Sequence, residues 1–253
     1  MSNKRYSAEK MLYARLDDII DIAPKNKIIN YLGFLDEKEI MLCKTYLKKR
    51  KDLGYKFYGG HSNAVRNFVA VWTDGLESCE DEFPISGLTF YYSKNEKLSH
   101  RDFLGYFLHS GIAKESIGDI LVGDGFTSVF LNNKVAGFAL NETDKIGKTK
   151  VRVERELPDI LPPAFNLEPL EILITSNRLD CIISAITSMS RSDAVNYINN
   201  AQVNVNFSEC LKVTKQLGDG DILSLRGFGR FIFEGEIGKT KKNRMKILIK
   251  KYV

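Results

Sequence analysis

Apolar positions at the start of the chain recur with the spacing of two amphipathic helices. The first set comprises Met11, Leu12, Leu16, Ile19 and Ile20. The segment 21–24, which closes with a proline, predicts the end of this helix. Asp36 followed by Glu39 has the spacing of a capping box and predicts that a second helix begins there. The intervening segment 28–34 fits either a helical turn or a short strand.

Two short alternating stretches, at 55–58 and 68–72, predict strands. His61 lies between them, directly after a double-glycine turn. A catalytic histidine needs a nucleophile or a carboxylate as a partner, and the sequence pattern around His61 offers none. We therefore interpret His61 as part of a helix start rather than as a catalytic residue.

Between residues 84 and 161, segments with the apolar spacing of helices and segments with that of strands follow one another in a regular order. Helical patterns at 101–110 and 132–140 interrupt the strand patterns at 88–92, 119–122, 126–131 and 148–155. This β-α-β-β-α-β order predicts a ferredoxin-like sandwich. The fold serves many functions, so it does not by itself indicate one.

Ferredoxin-like RNA binders of the RRM type stack bases on aromatic residues of their two central strands. The corresponding strands here carry Tyr91, Tyr92, Phe126 and Phe130, but they lack the usual basic-aromatic signature. These four side chains therefore either stack on RNA or belong to the core, and the sequence leaves both interpretations open.

Four of the six prolines lie between positions 157 and 169. Since proline fixes φ and removes an amide donor, neither a helix nor a central strand is expected to continue through this run. We expect three parts: a small N-terminal α/β region at 1–83, a ferredoxin-like domain at 84–161 and a third domain at 162–253 with a proline-rich lead-in. The predicted fold class is α+β.

The third domain begins with a predicted strand at 171–175. Two helical patterns follow, at 178–188 and 191–200, and Ser190 is placed to cap the second helix. The remaining strand patterns lie at 203–205, 222–225, 231–236 and 245–249. A basic, glycine-punctuated segment, 226–230, connects two of these strands.

The charge of the chain is concentrated in this last domain. The net charge of the 253 residues is +5, yet positions 177–253 contain 13 Lys and Arg against 7 Asp and Glu. A localised basic field is typical of proteins that bind a polyanion. The lysine-rich run 239–244 would also fit a solvated tail.

Other classes of function find little support in the sequence. The composition, 43% hydrophobic and 27% charged, is that of a soluble globular protein, and the chain shows no membrane span and no signal peptide. The four cysteines lack metal-ligand spacing, and the P-loop, Rossmann, GxSxG and HExxH motifs are missing. We expect a cytoplasmic protein without a cofactor, a metal site or catalytic residues.

The spaced residues of the third domain resemble the S-four RNA-binding domain. The matching positions are Arg178-Leu179-Asp180, Ser190-Arg191-Ser192, Ala194, Ile198, Val203, Val205-Asn206 and Gly220-Asp221-x-Leu223. With the Ile-Gly-Asp-Ile stretch at 117–120, the whole chain resembles the bacterial YlmH family. The S-four pattern usually has glycine where this chain has Ala201 and Phe207, and a basic residue where it has Gln202.

The resemblance implies that Arg178, Asp180, Ser190, Arg191, Ser192 and Asn206 bind RNA. To these the basic character of the domain adds Arg226, Arg230, Lys241, Lys242 and Arg244. Helix starts and arginines are suited to phosphate oxygens, and Asp180 is placed to orient a neighbouring arginine. Alternatively, Arg178 and Asp180 form only a local salt bridge that closes the helix start.

The resemblance also implies a function. Proteins similar to this one act on the large ribosomal subunit, in rescue or quality control of stalled translation, so the expected partners are rRNA and also tRNA. We expect a monomer that binds no membrane. Two alternatives stay open: an adaptor near the cell-division machinery, binding a protein through the middle domain, and an RNA-modifying enzyme. For a pseudouridine synthase the first two regions are too small and their elements are in the wrong order.

Overall fold

The computed structural model describes residues 2–26, 28–73 and 80–253. The chain divides into two compact units, residues 1–164 and 165–253. Within the described ranges, every helix is too short or too polar to cross a membrane.

The elements of the first unit are, in chain order, α1 (Ser2–Asn26), β1 (Asn30–Leu35), α2 (Glu37–Leu47), β2 (Leu53–Tyr58), β3 (Asn67–Thr73), β4 (Ile85–Tyr91), α3 (His100–His109), β5 (Ile117–Val122), β6 (Phe126–Asn132), α4 (Asn133–Glu142), β7 (Lys145–Ile146), β8 (Thr149–Lys150) and β9 (Arg152–Glu154). Short 3-10 turns occupy Glu80–Glu82 and Lys114–Ser116.

The N-terminal part is a three-stranded sheet covered by two helices. Its strand order is β1-β3-β2. The predicted capping box of α2 is confirmed: Glu39 N donates to Asp36 Oδ1 (3.0 Å), and Asp36 N donates to Glu39 Oε2 (2.8 Å). The segment predicted as a turn or a strand forms β1, and α1 and α2 pack together against one face of the sheet.

Helix α1 is longer than the sequence predicts. It continues through Pro24 to Asn26, so the predicted end at 21–24 is wrong. Leu12, Leu16 and Ile20 are buried against the sheet and stabilise the helix up to this point. A proline removes only one amide donor, and near a helix end the loss is small enough for this packing to outweigh it.

Residues 85–154 form the predicted ferredoxin-like sandwich. The four-stranded antiparallel sheet has the order β5-β6-β4-β9, and α3 and α4 pack on one of its faces. The Gly123-Asp124-Gly125 turn joins β5 to β6. The predicted strand 148–155 is divided: β8 pairs with β7 in a separate ribbon, and only β9 joins the main sheet.

The other face of this sheet, which RRM-type proteins use for RNA, is covered by the N-terminal sheet. Phe130 and Leu121 pack against Phe34, Phe68 and Ala70 in one buried cluster. The first unit therefore has four layers: helices, sheet, sheet, helices. The structure assigns Phe130 to the core.

The remaining three aromatic candidates lie elsewhere. Tyr92 faces the helices, where its ring is 6.3 Å from that of Phe103. Tyr91 and Phe126 are cross-strand partners, half-buried at one end of the sheet. Of the four aromatic candidates, only Tyr91 and Phe126 therefore remain available for base stacking.

His61 has a carboxylate partner that the sequence did not reveal. It lies in a turn, so the predicted helix start is wrong. Its Nε2 is 3.1 Å from Asp119 Oδ2, and the Asp119 carboxylate also accepts from the amides of Val65 (2.8 Å) and Arg66 (3.0 Å). Because Asp119 is 5% exposed and bound to three donors, the group fastens the turn to β5.

The elements of the second unit are β10 (Leu167–Ile174), α5 (Leu179–Thr187), α6 (Arg191–Asn199), β11 (Val203–Val205), β12 (Ser208–Glu209), β13 (Ile222–Leu225), β14 (Gly229–Lys239) and β15 (Met245–Tyr252). The strands form one sheet in the order β10-β15-β14-β13-β11-β12. Pro169 lies in β10, an edge strand, where a missing amide donor is tolerated.

One face of this sheet packs on α5 and α6. Apolar side chains alternate along the strands, and those that point to the helices are buried, among them Val203, Leu223, Phe231 and Ile249. The opposite face carries the residues of the other parity, such as Asn204, Ser224 and Arg230. The second unit therefore has a helical side and an open sheet side.

Candidate nucleic-acid interface

Asp180 joins the N-terminal ends of the two helices of the second unit. Its carboxylate accepts hydrogen bonds from Arg178 Nε (3.0 Å) and from Arg191 Nη2 (2.8 Å). The Asp180 side chain is 2% exposed, whereas those of Arg178 and Arg191 are 37% and 59% exposed. These three residues, here called the Asp180 cluster, place two guanidinium groups side by side at the surface.

Burial alone would raise the pKa of Asp180, because a carboxylate loses its hydration. The hydrogen bonds and charges of Arg191 and Arg178 outweigh that effect, so the pKa of Asp180 lies below its ordinary value. The same contact raises the pKa of Arg191. Asp180 is therefore ionised at neutral pH and holds both arginines in a defined orientation.

The start of α6 is closed by its own side chains. Ser190 Oγ accepts from the amide of Asp193 (3.1 Å) and donates to the Asp193 carboxylate (2.6 Å). Ser192 Oγ lies 2.8 Å from Ser190 Oγ. The predicted cap is confirmed, and both hydroxyls stay exposed next to Arg191.

The start of α5 differs from the sequence expectation of open amides. The amide of Leu179 donates to Lys215 O (2.8 Å), and that of Asp180 donates to Val213 O (3.2 Å). Both amides are therefore already hydrogen-bonded within the protein. An anion at this end therefore meets the guanidinium of Arg178 rather than the first amides of the helix.

Acidification tests the electrostatic part of the Asp180 cluster. Since the folded-state pKa of Asp180 is depressed, its ion pairs stabilise the second unit above the unfolded-state value of about 3.9. The stabilisation is lost as pH falls through the lower folded-state pKa. We expect the protection factors of α5 and α6, which are exchange rates corrected for the intrinsic pH dependence of amide exchange, to decrease as pH falls below about 4, by a larger factor in the wild type than in Asp180→Asn.

The exposed carboxylate Glu209 gives a matched control. The Glu209→Gln variant should show the same acid response as the wild type. If Asp180→Asn retained the full acid response, the Asp180 cluster would not be the source of the pH dependence.

Arg226 and Arg230 lie together in an open groove at the other end of α6. The groove has a volume of about 560 Å³ and is lined by Ala201, Gln202, Asn204, Ser224, Leu225, Arg226, Gly227, Gly229 and Arg230. The turn that carries Arg226 is fastened to α6, because Tyr197 Oη donates to Arg226 O (2.6 Å). We call this feature the arginine groove.

Aromatic rings flank Arg230. Its guanidinium carbon lies 5.4 Å from the ring centroid of Phe207 and 5.3 Å from that of Tyr252. Such cation–π contacts keep a long side chain in one orientation. Tyr252 could not be recognised from the sequence as a neighbour of Arg230, because only the register of β14 against β15 brings the two residues together.

Two positions where the S-four pattern usually has glycine adopt the left-handed backbone that favours glycine. The φ of Ala201 is 55° and that of Phe207 is 64°. Ala201 follows α6, where its amide donates to Ile198 O (3.0 Å) and the next amide donates to Tyr197 O (3.3 Å). These are the two hydrogen bonds of a Schellman motif, in which Ala201 occupies the position that glycine favours.

Replacing Ala201 by glycine should therefore stabilise the second unit. A left-handed L-residue costs about 1–2 kcal/mol, and the greater freedom of glycine in the unfolded chain offsets part of that gain. We expect a net increase of about 0.5–1 kcal/mol in the free energy of unfolding, measured by urea denaturation. In contrast, glycine at Ala194, which is buried inside α6, should destabilise the unit.

The remaining predicted site residues occupy two other places. The amide group of Asn206 donates to Asp221 Oδ1 (2.7 Å), and its oxygen accepts from Ile222 N (2.9 Å), so it holds the turn after β11. Lys241, Lys242 and Arg244 are exposed in the hairpin between β14 and β15.

The predicted residues thus form separate groups. The Asp180 cluster and the arginine groove lie at opposite ends of α6, whose nine residues at about 1.5 Å each make it roughly 14 Å long. That distance is a few nucleotides of a single strand. Within the described residues, groups of three or more His, Cys, Asp and Glu that fit a metal ion are absent.

Comparison with known proteins places this chain near one family. Residues 79–158 match the family model described as "Putative RNA-binding domain in YlmH". The chain is 27% identical over 216 residues to the ribosome-associated protein quality control protein P2 of Bacillus subtilis (strain 168), a match that covers 85% of this chain and 84% of the relative.

A solved structure, the cell division protein ylmH from Streptococcus pneumoniae, matches with a TM-score of 0.50 and 18% identity. The match covers 59% of this chain and 92% of that chain, and it concerns the fold alone. The predicted resemblance to YlmH and the α+β class are confirmed. The match at 79–158 is to an RNA-binding domain type, and the relative from Bacillus subtilis is ribosome-associated by its name.

Proposed function

We propose that this protein binds rRNA and tRNA on the large ribosomal subunit and acts, without catalysis, in rescue or quality control of stalled translation. The observation that carries the proposal is the Asp180 cluster, two exposed arginines held by one buried carboxylate at adjoining helix ends. In this proposal residues 162–253 are an S-four-type domain and the main RNA-binding part. Such a protein works in the cytoplasm, as a monomer.

The chemistry of the cluster fits phosphate. Arginine offers a planar fork of donors that matches two phosphate oxygens, and it stays charged when one edge is already paired. Asp180 accepts from Nε and Nη2 of Arg178 and from Nη2 of Arg191, which leaves Nη1 of Arg178 and both Nε and Nη1 of Arg191 for a ligand. Because Asp180 orients the arginines in advance, less side-chain entropy is lost when RNA binds.

The local geometry also supports the other proposed RNA contacts. Ser190 and Ser192 present hydroxyls beside Arg191, and Arg226, Arg230, Lys241, Lys242 and Arg244 extend the positive surface of the same unit. Contacts of this kind read backbone and shape, as is usual for structured RNA. Asn206 contributes indirectly, by holding the turn that carries Phe207.

The comparisons support the assignment to the ribosome. The relative from Bacillus subtilis is named as a ribosome-associated quality control protein, and it matches most of this chain. A second candidate function is a protein adaptor that acts through residues 84–161. It is favoured by Leu108 and Phe138, which are 45% and 42% exposed on α3 and α4.

Sedimentation with three binding partners distinguishes the RNA-binding function from the protein adaptor. The full-length protein is mixed with intact large subunits, with protein-free large-subunit rRNA or with tRNA, each in a salt series. We expect binding to the subunit and to the naked rRNA, weakening steeply as salt increases. Binding to intact subunits only, with no dependence on salt, would favour the adaptor and contradict the RNA-binding proposal.

A further inference from the structure

The open side of the second unit carries a polar row across three strands. Asn204 in β11 is the register partner of Ser224 in β13, and Ser224 is the partner of Arg230 in β14. Directly opposed residues on antiparallel strands project from the same face. The three side chains therefore point together into the arginine groove, which they line.

The polar groups of this row have capacity for a ligand. Among the residues that the structure describes, the side chains of Asn204, Ser224 and Arg226 form neither a hydrogen bond nor an ion pair. The Asn204 amide offers two donors and an acceptor, and the Ser224 hydroxyl offers both roles.

The dimensions of the groove limit the ligand. Its volume of about 560 Å³ lies within the range of small-molecule sites and suits one nucleotide. Gly227 and Gly229 border it with φ values of 86° and 107°, and a Cβ added at either would meet no atom within 4 Å. The rim is thus open to close approach by a backbone, and the positive φ values require glycine there.

Arg230 supplies a flat surface inside the groove. Its contacts with the rings of Phe207 and Tyr252, at 5.4 and 5.3 Å from the ring centroids, limit the orientations of the guanidinium plane. Guanidinium planes stack on nucleobases, and unpaired bases are read by hydrogen bonds to their edges. The strained left-handed backbone of Phe207 is consistent with this role, because such strain is commonly retained where a side chain must be held in place for function.

We propose that the arginine groove accepts a single unpaired nucleotide of RNA. The base stacks on Arg230, its edge bonds to Asn204 and Ser224, and its phosphate lies against Arg226. The proposal rests on the proposed RNA-binding function. It adds a preference for an unpaired base over a continuous duplex, and it gives roles to Asn204 and Ser224.

A pair of RNA hairpins tests this preference. Each hairpin is closed by a linker without nucleotides, so that its loop offers no base. One stem is fully paired, the other is the same stem with one extra, unpaired base, and each is titrated into the full-length protein. The wild type should bind the bulged hairpin about tenfold more tightly. Asn204→Ala with Ser224→Ala should remove this preference and leave the affinity for the paired hairpin unchanged. Asn199→Ala, an exposed amide of α6 outside the groove, serves as the control.

The outcomes separate the two proposals. Equal affinity of the wild type for both hairpins would overturn the nucleotide site and leave the RNA-binding proposal intact. If the double variant still preferred the bulged hairpin, the nucleotide site would also be overturned, because Asn204 and Ser224 would then make no contact with the unpaired base. If the wild type binds neither hairpin nor rRNA, the proposed function fails and the nucleotide site fails with it.

Discussion

Replacing Phe130 by alanine is expected to lower the free energy of unfolding of the first unit by about 3–5 kcal/mol. Phe130 is 1% exposed between the two sheets, and its ring lies 4.7 Å from that of His61. Truncation would leave a cavity where both sheets meet, and rigid strands on both sides cannot close it. The effect on RNA binding should be negligible while the unit stays folded.

Trp72 makes this measurement direct. It is the one tryptophan of the chain, and it packs against the same buried cluster as Phe130. Its fluorescence during urea unfolding should therefore report on the contact between the sheets. As a control, Phe138→Ala removes a 42% exposed ring from α4 and should change stability by less than about 0.5 kcal/mol.

The Phe130 variant also distinguishes two roles for the middle sheet. If this face bound RNA as in RRM-type proteins, Phe130→Leu would weaken RNA binding while costing little stability. We expect the opposite pattern, with a loss of stability and unchanged affinity. A loss of RNA affinity in a stable Phe130→Leu variant would contradict the buried arrangement of the two sheets.

The second large effect concerns binding. Removing both guanidinium groups, with Arg178→Ala and Arg191→Ala, should reduce the affinity for rRNA by about a hundredfold. A hydrogen bond to a charged group contributes about 1.5–3 kcal/mol, which corresponds to about tenfold or more for each arginine. The measurement is a filter-binding or fluorescence titration with protein-free rRNA.

Two further variants guard against trivial explanations. The double alanine variant leaves the buried Asp180 without a partner, so Asp180→Asn is added in a triple variant that keeps the site neutral. Lys48 and Lys49 are exposed residues that follow α2. Replacing both by alanine removes two positive charges from the first unit, as many as the double alanine variant removes from the second. We expect the triple variant to bind weakly and the lysine pair to bind nearly as the wild type.

Local patterns predicted much of the fold. The capping box at Asp36, the cap at Ser190 and the β-α-β-β-α-β order all depend on residues close in sequence, and all three are found. Such features are determined by short-range hydrogen bonds and by apolar periodicity. Ala201 and Phe207, where the S-four pattern usually has glycine, both have a left-handed backbone.

Contacts between residues far apart in the chain could not be predicted from the sequence. His61 and Asp119 are 58 positions apart, and only the packing of the two sheets brings them together. For the same reason the aromatic residues of the middle sheet could not be assigned to core or surface. The Arg230 contact with Tyr252 depends on strand register, and the Arg191 contact with Asp180 depends on how α5 and α6 meet.

The paired arginines of the second unit, Arg178 and Arg191, are proposed to contact RNA phosphates. The most direct test is the slope of the logarithm of the rRNA binding constant against the logarithm of salt concentration, from about 50 to about 200 mM. The Arg178→Ala and Arg191→Ala variant should show a slope shallower than that of the wild type by about two, one for each lost phosphate contact. Identical slopes and affinities for the two proteins would contradict the claim.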